Sequence, residues 1–352
     1  VKIALTYTPR ISCIGSTDKI NAQVTVENSN GSTSELADDA EEEFDSPETI
    51  DAISNAIASC GFDVEQWGDG PLLMRRLLDS EHPDLIFNLA EGRGIHRSRE
   101  AWAPALFEMF GIPYTGSDPL TLSATLDKDC ARRLVREAGV SVPVGMLVNG
   151  SPQEFCAQLA ALPFPVIVKP AFEGSSKGLG NHSVIEDYSH LDDAITRCSA
   201  CYRQPVLVEE FIDGDELTVG ILGNNPPTIV GVMRVSPVKN QGRFVYGLDV
   251  KRDWRRRVHY EIPVPLSEVD LAAVCNSART AFRALGCRDV ARLDYRFKDG
   301  IPYFLEANPL PGLTPESSDL VLLAEGMGID YRELIERIVN AALQRYQLHT
   351  AI

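Results

Sequence analysis

The sequence predicts an α/β protein of two or three domains. Residues 1–115 alternate apolar strand runs with helix signals, the pattern of strand–helix–strand units around a parallel sheet. Later strand runs come in pairs joined by glycine-rich or turn-rich segments, as in "FPVIVKPAFEGSSKGLG" and "PVLVEEFIDGDELTVGILG". A length of 352 residues, with 44% hydrophobic and 24% charged, can bury several cores.

The elements follow in order. "KIALTY" reads as a first buried strand. "NSNGSTSELADDAEEEFD" is acidic and poor in large apolar residues. It is expected to be a solvated loop, with a lid over an active site as the lesser alternative. In "SPETIDAISNAIASCG", Ser46 is placed to cap a helix, Pro47 occupies its first position and Gly61 ends it. "DLIFNLA" (84–90) is the next strand and "REAWAPALFEMFG" the helix after it. A helix from Asp127 closes at Gly139. From Thr228 come strands, a charged stretch "YGLDVKRDWRRRVHY", a helix from Leu271 to Leu285, a hairpin and a closing helix from Asp330.

The net charge, 33 − 50 = −17, opposes binding to nucleic acid or an anionic membrane, so any nucleotide site must be locally basic. No apolar run reaches the ~18 residues of a membrane span. "VKIALTYTP" lacks the apolar core of a signal peptide, so a cytoplasmic location is expected. The eight cysteines are scattered, and Cys198 and Cys201 form a C-x-x-C at the end of a helix rather than the strand-to-helix setting of a redox pair. The six histidines show no metal-ligand spacing.

Chemistry concentrates at the hairpin. In "VARLDYRF" (290–297), Arg292 and Asp294 share a strand face; in "FLEANPLPGLTPES" (304–317), so do Glu306 and Asn308. Reading "KDG" (298–300) as a three-residue loop, with Gly300 at positive φ, sets Arg292 opposite Glu306 and brings all four to one face. Two carboxylates and an amide oxygen suit Mg²⁺ completed by substrate phosphates. A plain cross-strand ion pair between Arg292 and Glu306 has equal standing on these residues alone. In "VKPAFEGSSKGLG", Lys169 ends a strand before a loop whose N–H groups and hydroxyls can wrap phosphate, with Lys177 adding charge. An ordinary turn is the alternative. In "VEEFIDGDE", Glu209 beside Phe211 and Ile212 can read an adenine, and Glu216 can take ribose hydroxyls. A plain strand edge is the alternative there.

In this order, with Lys128 in "LDK" and the segments "GIPYTGSDPLTLSATLDK" and "NPLPGLTPESS", the chain resembles the ATP-grasp superfamily from about Asp84 to Leu320. Within it, the resemblance is to the D-alanine–D-alanine ligase family. It implies a three-domain ATP-grasp architecture: an N-terminal α/β domain (1–115), a central subdomain with the glycine-rich loop (116–208) and a C-terminal subdomain with the metal and oxyanion site (209–352). The last two, both α+β, would clamp ATP.

The resemblance further implies an ATP site of Lys128, Lys169, Glu173, Ser175, Ser176, Glu209, Glu210, Phe211, Ile212, Glu216 and Leu305. Asp294, Glu306 and Asn308 would ligate two Mg²⁺ ions, for which Mn²⁺ could substitute. Arg292, Lys251 and Ser176 would act in catalysis, Arg292 at the oxyanion and Lys251 in the loop over the γ-phosphate. Gly312, counted with the substrate residues, would add a backbone N–H at the oxyanion, and Ser317 would meet the carboxylate of the second amino acid. The implied reaction is ATP-dependent joining of a carboxylate to an amine through an acyl phosphate, with release of ADP and phosphate. Partners would be small amino acids or peptides, and a homodimer is open.

The amino-acid half departs from the family pattern. "TYTPRISCIG" after strand one carries no acid to hold an amine, Glu91 replaces a histidine within "AEGRGIHRSRE", and Arg252 stands where the family has tyrosine. Glu91, Arg97 and Arg252 are therefore expected to bind substrate, with a larger or more polar amino acid preferred to D-alanine. True D-alanine–D-alanine ligase activity is the alternative, and a non-catalytic ATP-binding sensor or scaffold the alternative of another class.

Overall fold

The computed structural model describes residues 1–10, 39, 41–79, 81–239 and 242–348. β1 (Lys2–Tyr7), α1 (Pro47–Ser59), β2 (Asp63–Gln66), α2 (Gly70–Asp79), β3 (Leu85–Leu89) and α3 (Trp102–Phe110) open the chain. The sheet order is β2-β1-β3 and both pairings are parallel, as the strand–helix alternation predicts. α1 starts where expected: the Ser46 side chain accepts from Thr49 N at 3.3 Å, and Pro47 needs no amide partner in the first turn. Its buried face, Ile50, Ile53 and Ile57, covers the sheet.

α4 (Pro119–Leu126) and α5 (Lys128–Glu137) follow, capped by Asp118 and Asp127. β4 (Gly145–Val148), α6 (Cys156–Ala160), β5 (Val166–Pro170), β6 (Val184–Ile185), α7 (Leu191–Tyr202) and β7 (Val206–Glu210) build an antiparallel sheet of order β4-β7-β5-β6. Cys198 and Cys201 lie on α7, and burial pushes the Cys198 thiol up to about 12, which leaves it unreactive.

The third sheet, order β10-β9-β8-β11-β12, is also antiparallel. It comprises β8 (Asp215–Leu222), β9 (Thr228–Pro237), β10 (Val258–Glu261), β11 (Val290–Lys298) and β12 (Ile301–Asn308). Before β10 come the short helices α8 (Leu248–Arg252) and α9 (Trp254–Arg257); Lys251 thus sits on a helix, not in an open loop. α10 (Glu268–Leu285) packs on this sheet through Val274, Ala278 and Phe282. α11 (Asp319–Gly326) and α12 (Tyr331–Arg345) return to the first sheet, where Leu334 and Ile338 share a core with Ile3, Leu5 and Ile57. Asp289, fully buried, ties the return together by accepting from Gly116 N, Asn224 Nδ2 and Arg345 Nη2 at 2.9, 2.8 and 2.6 Å.

Two expectations are corrected. The β11–β12 turn has two residues, Asp299 and Gly300, both at positive φ (51° and 77°), with Lys298 paired to Ile301. Such a turn alone would place Asp294 opposite Leu305 and split the polar groups between faces. A β-bulge inserts Leu305 and restores the common face, so Asp294 pairs with Glu306 and Arg292 with Asn308.

The acidic segment 28–45 lies partly outside the described residues. Its described end, Asp39 and residues 41–45, is not a solvated loop. Glu43 accepts from Gly174 N at 2.6 Å, and Asp39 accepts from Tyr202 Oη at 2.6 Å and Gly178 N at 3.2 Å. Short carboxylates meeting backbone amides, rather than apolar burial, hold this strap against the glycine-rich loop.

Candidate active site

The bulged hairpin fixes the polar centre. Arg292 donates to Asp294 Oδ2 from Nη2 at 2.9 Å and lies 3.9 Å from Glu306 and 3.6 Å from Asp319. Burial would lower the pKa of this guanidinium, but Asp294, Asp319 and Glu306 around it raise it, so it is permanently charged. Burial and the neighbouring Glu306 raise Asp294 against the pull of Arg292. Burial would raise Glu306 too, but Lys128, at 2.7 Å, and Arg292 hold it well below the usual carboxylate range. Thr218 donates to Asp294 Oδ1 at 3.0 Å, and the Asn308 amide reaches Asp294 Oδ2 at 3.2 Å.

This set fits Mg²⁺. No group of three His, Cys, Asp or Glu side chains among the described residues is arranged around a metal by itself. Two carboxylates plus an amide are a partial oxygen shell, suited to an ion that takes its remaining ligands from phosphates and water. Rotating the Asn308 amide presents its oxygen to the same point.

Cations surround the centre. Lys128 is held at the N-terminus of α5 and also donates to the Glu173 carbonyl. Lys169, at the end of β5, pairs with Glu209 on β7 at 2.5 Å. In the loop beyond, Ser175 and Ser176 adopt positive φ (48° and 58°), and Ser176 Oγ donates to the Tyr246 carbonyl at 3.1 Å. Glu173 is buried and taken up by Lys177 and Gln204 at 2.6 and 2.8 Å. Its carboxylate therefore supports the loop.

A cavity of about 70 Å³ lies between the second and third sheets, lined by Glu209, Glu210, Phe211, Ile212, Glu216 and Leu305, with Lys169, Ser176 and Lys251 at its wall. Glu216 pairs with Arg296 at 2.6 Å. A larger cavity of about 380 Å³ adjoins the hairpin and is lined by Lys128, Arg292, Glu306 and Asn308, with Glu91, Arg252, Gly312 and Ser317 among the other wall residues. Arg252 binds Glu42 of the strap.

The expectation for Arg97 is corrected. Its exposed side chain meets Asp127 at 3.1 Å, stacks near Phe172 and does not line either cavity. Arg99 is the buried arginine of that segment. It donates to Phe172 O at 2.7 Å and to Glu43 at 2.9 Å.

Sequence reasoning missed Glu43, Arg99, Glu100, Thr218 and Asp319. Asp319 begins α11 and accepts from Tyr246 Oη at 3.0 Å while facing Arg292 and Lys251. Its place two residues after Ser317, at a helix start, was the available signal.

Residues 145–340 match the family model described as D-ala D-ala ligase C-terminus. The chain is 33% identical over 295 residues to a D-alanine–D-alanine ligase of Syntrophotalea carbinolica, covering 84% of this chain and 90% of that one. It is 30% identical over 312 residues to the uncharacterized protein y4sG of Sinorhizobium fredii, with coverage of 84% and 88%. A solved D-alanine–D-alanine ligase from Bacillus anthracis complexed with ATP has the same fold, with a TM-score of 0.69 at 19% identity over 99% of this chain and 98% of that one. With its bulged acid–amide hairpin, its lysine-flanked loop and these relatives, the chain belongs to the D-alanine–D-alanine ligase family of ATP-grasp enzymes, which form carbon–nitrogen bonds at the expense of ATP.

Proposed function

We propose that this enzyme joins D-alanine to a second D-alanine, forming ADP and phosphate. The observation that carries the proposal is the placement of Arg292, Asp294, Glu306 and Asn308 on one face of the hairpin, beside Lys128 and on the wall of the larger cavity. A carboxylate does not react with an amine at neutral pH, so phosphorylation must first supply a leaving group. Two Mg²⁺ ions held by Asp294, Glu306 and Asn308 would neutralise charge on the transferring phosphoryl group. Lys128 and Lys169 would hold phosphate oxygens. Ser175 and Ser176 would close over them, with Lys251 at the γ-phosphate. The smaller cavity would take adenine against Phe211, Ile212 and Leu305, with Glu216 at the ribose.

Once the acyl phosphate forms, the second amine attacks its carbonyl. Arg292 and the Gly312 N–H would face the oxyanion, and Ser317 the second carboxylate. Water must be excluded while that intermediate lives. The strap that bonds the glycine-rich loop and the helix carrying Lys251 would do so.

D-Alanine is favoured because the ligase relatives are named for it, against the larger or more polar amino acid anticipated from the sequence. That second reading retains one specific support: Glu91 and Arg252 both line the larger cavity. A screen of amino acid pairs with Mg-ATP, read by mass spectrometry, decides. D-Alanyl-D-alanine as the main product supports the proposal. A different dipeptide formed at much higher kcat/KM would establish the second reading.

A further inference from the structure

The larger cavity has acids on its wall that the phosphoryl chemistry does not use. Most are committed. Glu42 binds Arg252, and Glu173 binds Lys177 and Gln204. Glu43 is shared by Arg99, Lys177 and the Gly174 amide. Glu91, Glu100 and Asp45 at the end of the strap are different, and of the three Glu91 and Glu100 act as a pair. Neither carboxylate makes a hydrogen bond or an ion pair within 4 Å among the described residues, yet both line the cavity, and Glu100 is only 8% exposed. A buried acceptor left without a donor is costly, so a site that keeps one beside a cavity is built for a donor that arrives.

The two act on each other. Burial and then Glu100 push Glu91 well above the usual carboxylate range. Burial lifts Glu100 to about 7, with Glu43 adding to the rise and Arg99, Lys128 and Lys177 opposing it. An arriving cation would favour the ionised forms of both.

The backbone explains how they come together. The Glu91 amide donates to Thr8 Oγ1 at 3.1 Å, which pins the end of β3 to the end of β1. Eight residues on, a single 3₁₀ turn from Arg99 to Ala101 sends Arg99 and Glu100 into the interior, Arg99 towards the strap and Glu100 to the cavity wall. The strand-one segment "TYTPR" contributes Thr8 here as a support, and no acid of its own.

We infer that Glu91 and Glu100 together hold the ammonium group of the amino acid whose carboxylate is activated, in place of the acid that is missing after the first strand. An ammonium has three donors and no acceptor, and two carboxylates offer enough lone pairs to satisfy it without water. Arg292 and Lys128 on the same cavity wall supply the positive charge that the substrate's carboxylate end requires. The cavity is thus matched to a zwitterion. The inference rests on the proposed ligase reading, and it adds a requirement for the amine that the phosphoryl chemistry alone does not impose. Glu100 and Glu91 are binding residues here, and the loss of either should weaken amino acid binding rather than ATP binding.

The test uses the whole chain, its Glu91→Gln and Glu100→Gln variants, and calorimetric titration in the presence of Mg²⁺ and a non-hydrolysable ATP analogue. D-Alanine and then each amino acid of both hands are the probes, with propionate as the analogue of D-alanine lacking the amine. Wild type should bind at least one amino acid and bind propionate far more weakly. Each variant should bind that amino acid about 10- to 100-fold more weakly, the range for losing a charged hydrogen-bond partner, with affinity for the ATP analogue retained as the control for folding. The preference for amine over propionate should shrink to match. Unchanged amino acid affinity in both variants, weakening of the ATP analogue by the same factor, or no amino acid binding by wild type would overturn the inference. ADP release by wild type across the same probes is read separately. Its absence alongside tight, Glu100-dependent amino acid binding would refute the ligase reading and leave the ammonium site standing.

Discussion

Replacing Glu43 by glutamine should loosen the strap from the glycine-rich loop. The carboxylate is almost fully buried and meets Arg99, Lys177 and Gly174 N at 2.9, 2.8 and 2.6 Å. Burial alone would raise its pKa, but Arg99 and Lys177 bring it down to about 2 from the ordinary 4.5. At 1.36 kcal/mol per pH unit, that gap corresponds to about 3 kcal/mol of stability. Glu43 also raises Glu100, so part of the loss returns when Glu100 ionises more easily in the variant. A net loss of at least about 2 kcal/mol at pH 7 is expected.

The sign follows from the depressed folded pKa. The contribution is present above the unfolded value of 4.5 and disappears as pH falls towards 2. Urea unfolding of both proteins at pH 7 and at successively lower pH measures the difference. Because the strap bears on the glycine-rich loop proposed to hold phosphate, the KM for ATP should rise as well. Equal stability at pH 7, or a difference that grows on acidification, would refute the reasoning.

Other perturbations separate the parts of the site. Arg292→Ala should cut turnover by at least about 10²-fold, the scale for losing one oxyanion donor, with ATP affinity largely retained in equilibrium binding. Asp289→Ala, far from the chemistry, should cost about 3–5 kcal/mol in urea unfolding because it leaves the Arg345 guanidinium and two amide donors without their acceptor. Arg97→Ala should change each steady-state KM by less than about twofold, as expected of an exposed side chain paired outside the cavity.

The hairpin shows how far the sequence could be read. Strand alternation was enough to place Arg292 with Asp294 and Glu306 with Asn308. The register between them was not readable, because it depends on a two-residue turn at Asp299 and Gly300 and on a bulge at Leu305. Nothing in the local sequence marks Leu305 as the inserted residue. The residues proposed for ATP were legible as one cluster because they lie in short, ordered motifs next to strand ends, and most of them line the smaller cavity together. The strap was not, since its role lies in carboxylates reaching partners far along the chain: Glu43 meets Arg99 56 residues on and Gly174 131 residues on. Acidity and low apolar content describe that segment equally well in solvent and when paired. Arg97 and Arg99 are two residues apart, and Arg99, which opens the 3₁₀ turn to Ala101, is the buried one.

The most direct measurement follows ADP and dipeptide together when the enzyme, Mg-ATP and D-alanine are mixed, in wild type and in Glu306→Ala. Wild type is predicted to form ADP and D-alanyl-D-alanine in equal amounts. Glu306→Ala, which loses the carboxylate that pairs with Lys128 and is proposed to ligate the metal, is predicted to form neither while remaining folded. Glu306→Ala turning over at near the wild-type rate, or wild-type ADP formation without any dipeptide, would contradict the account.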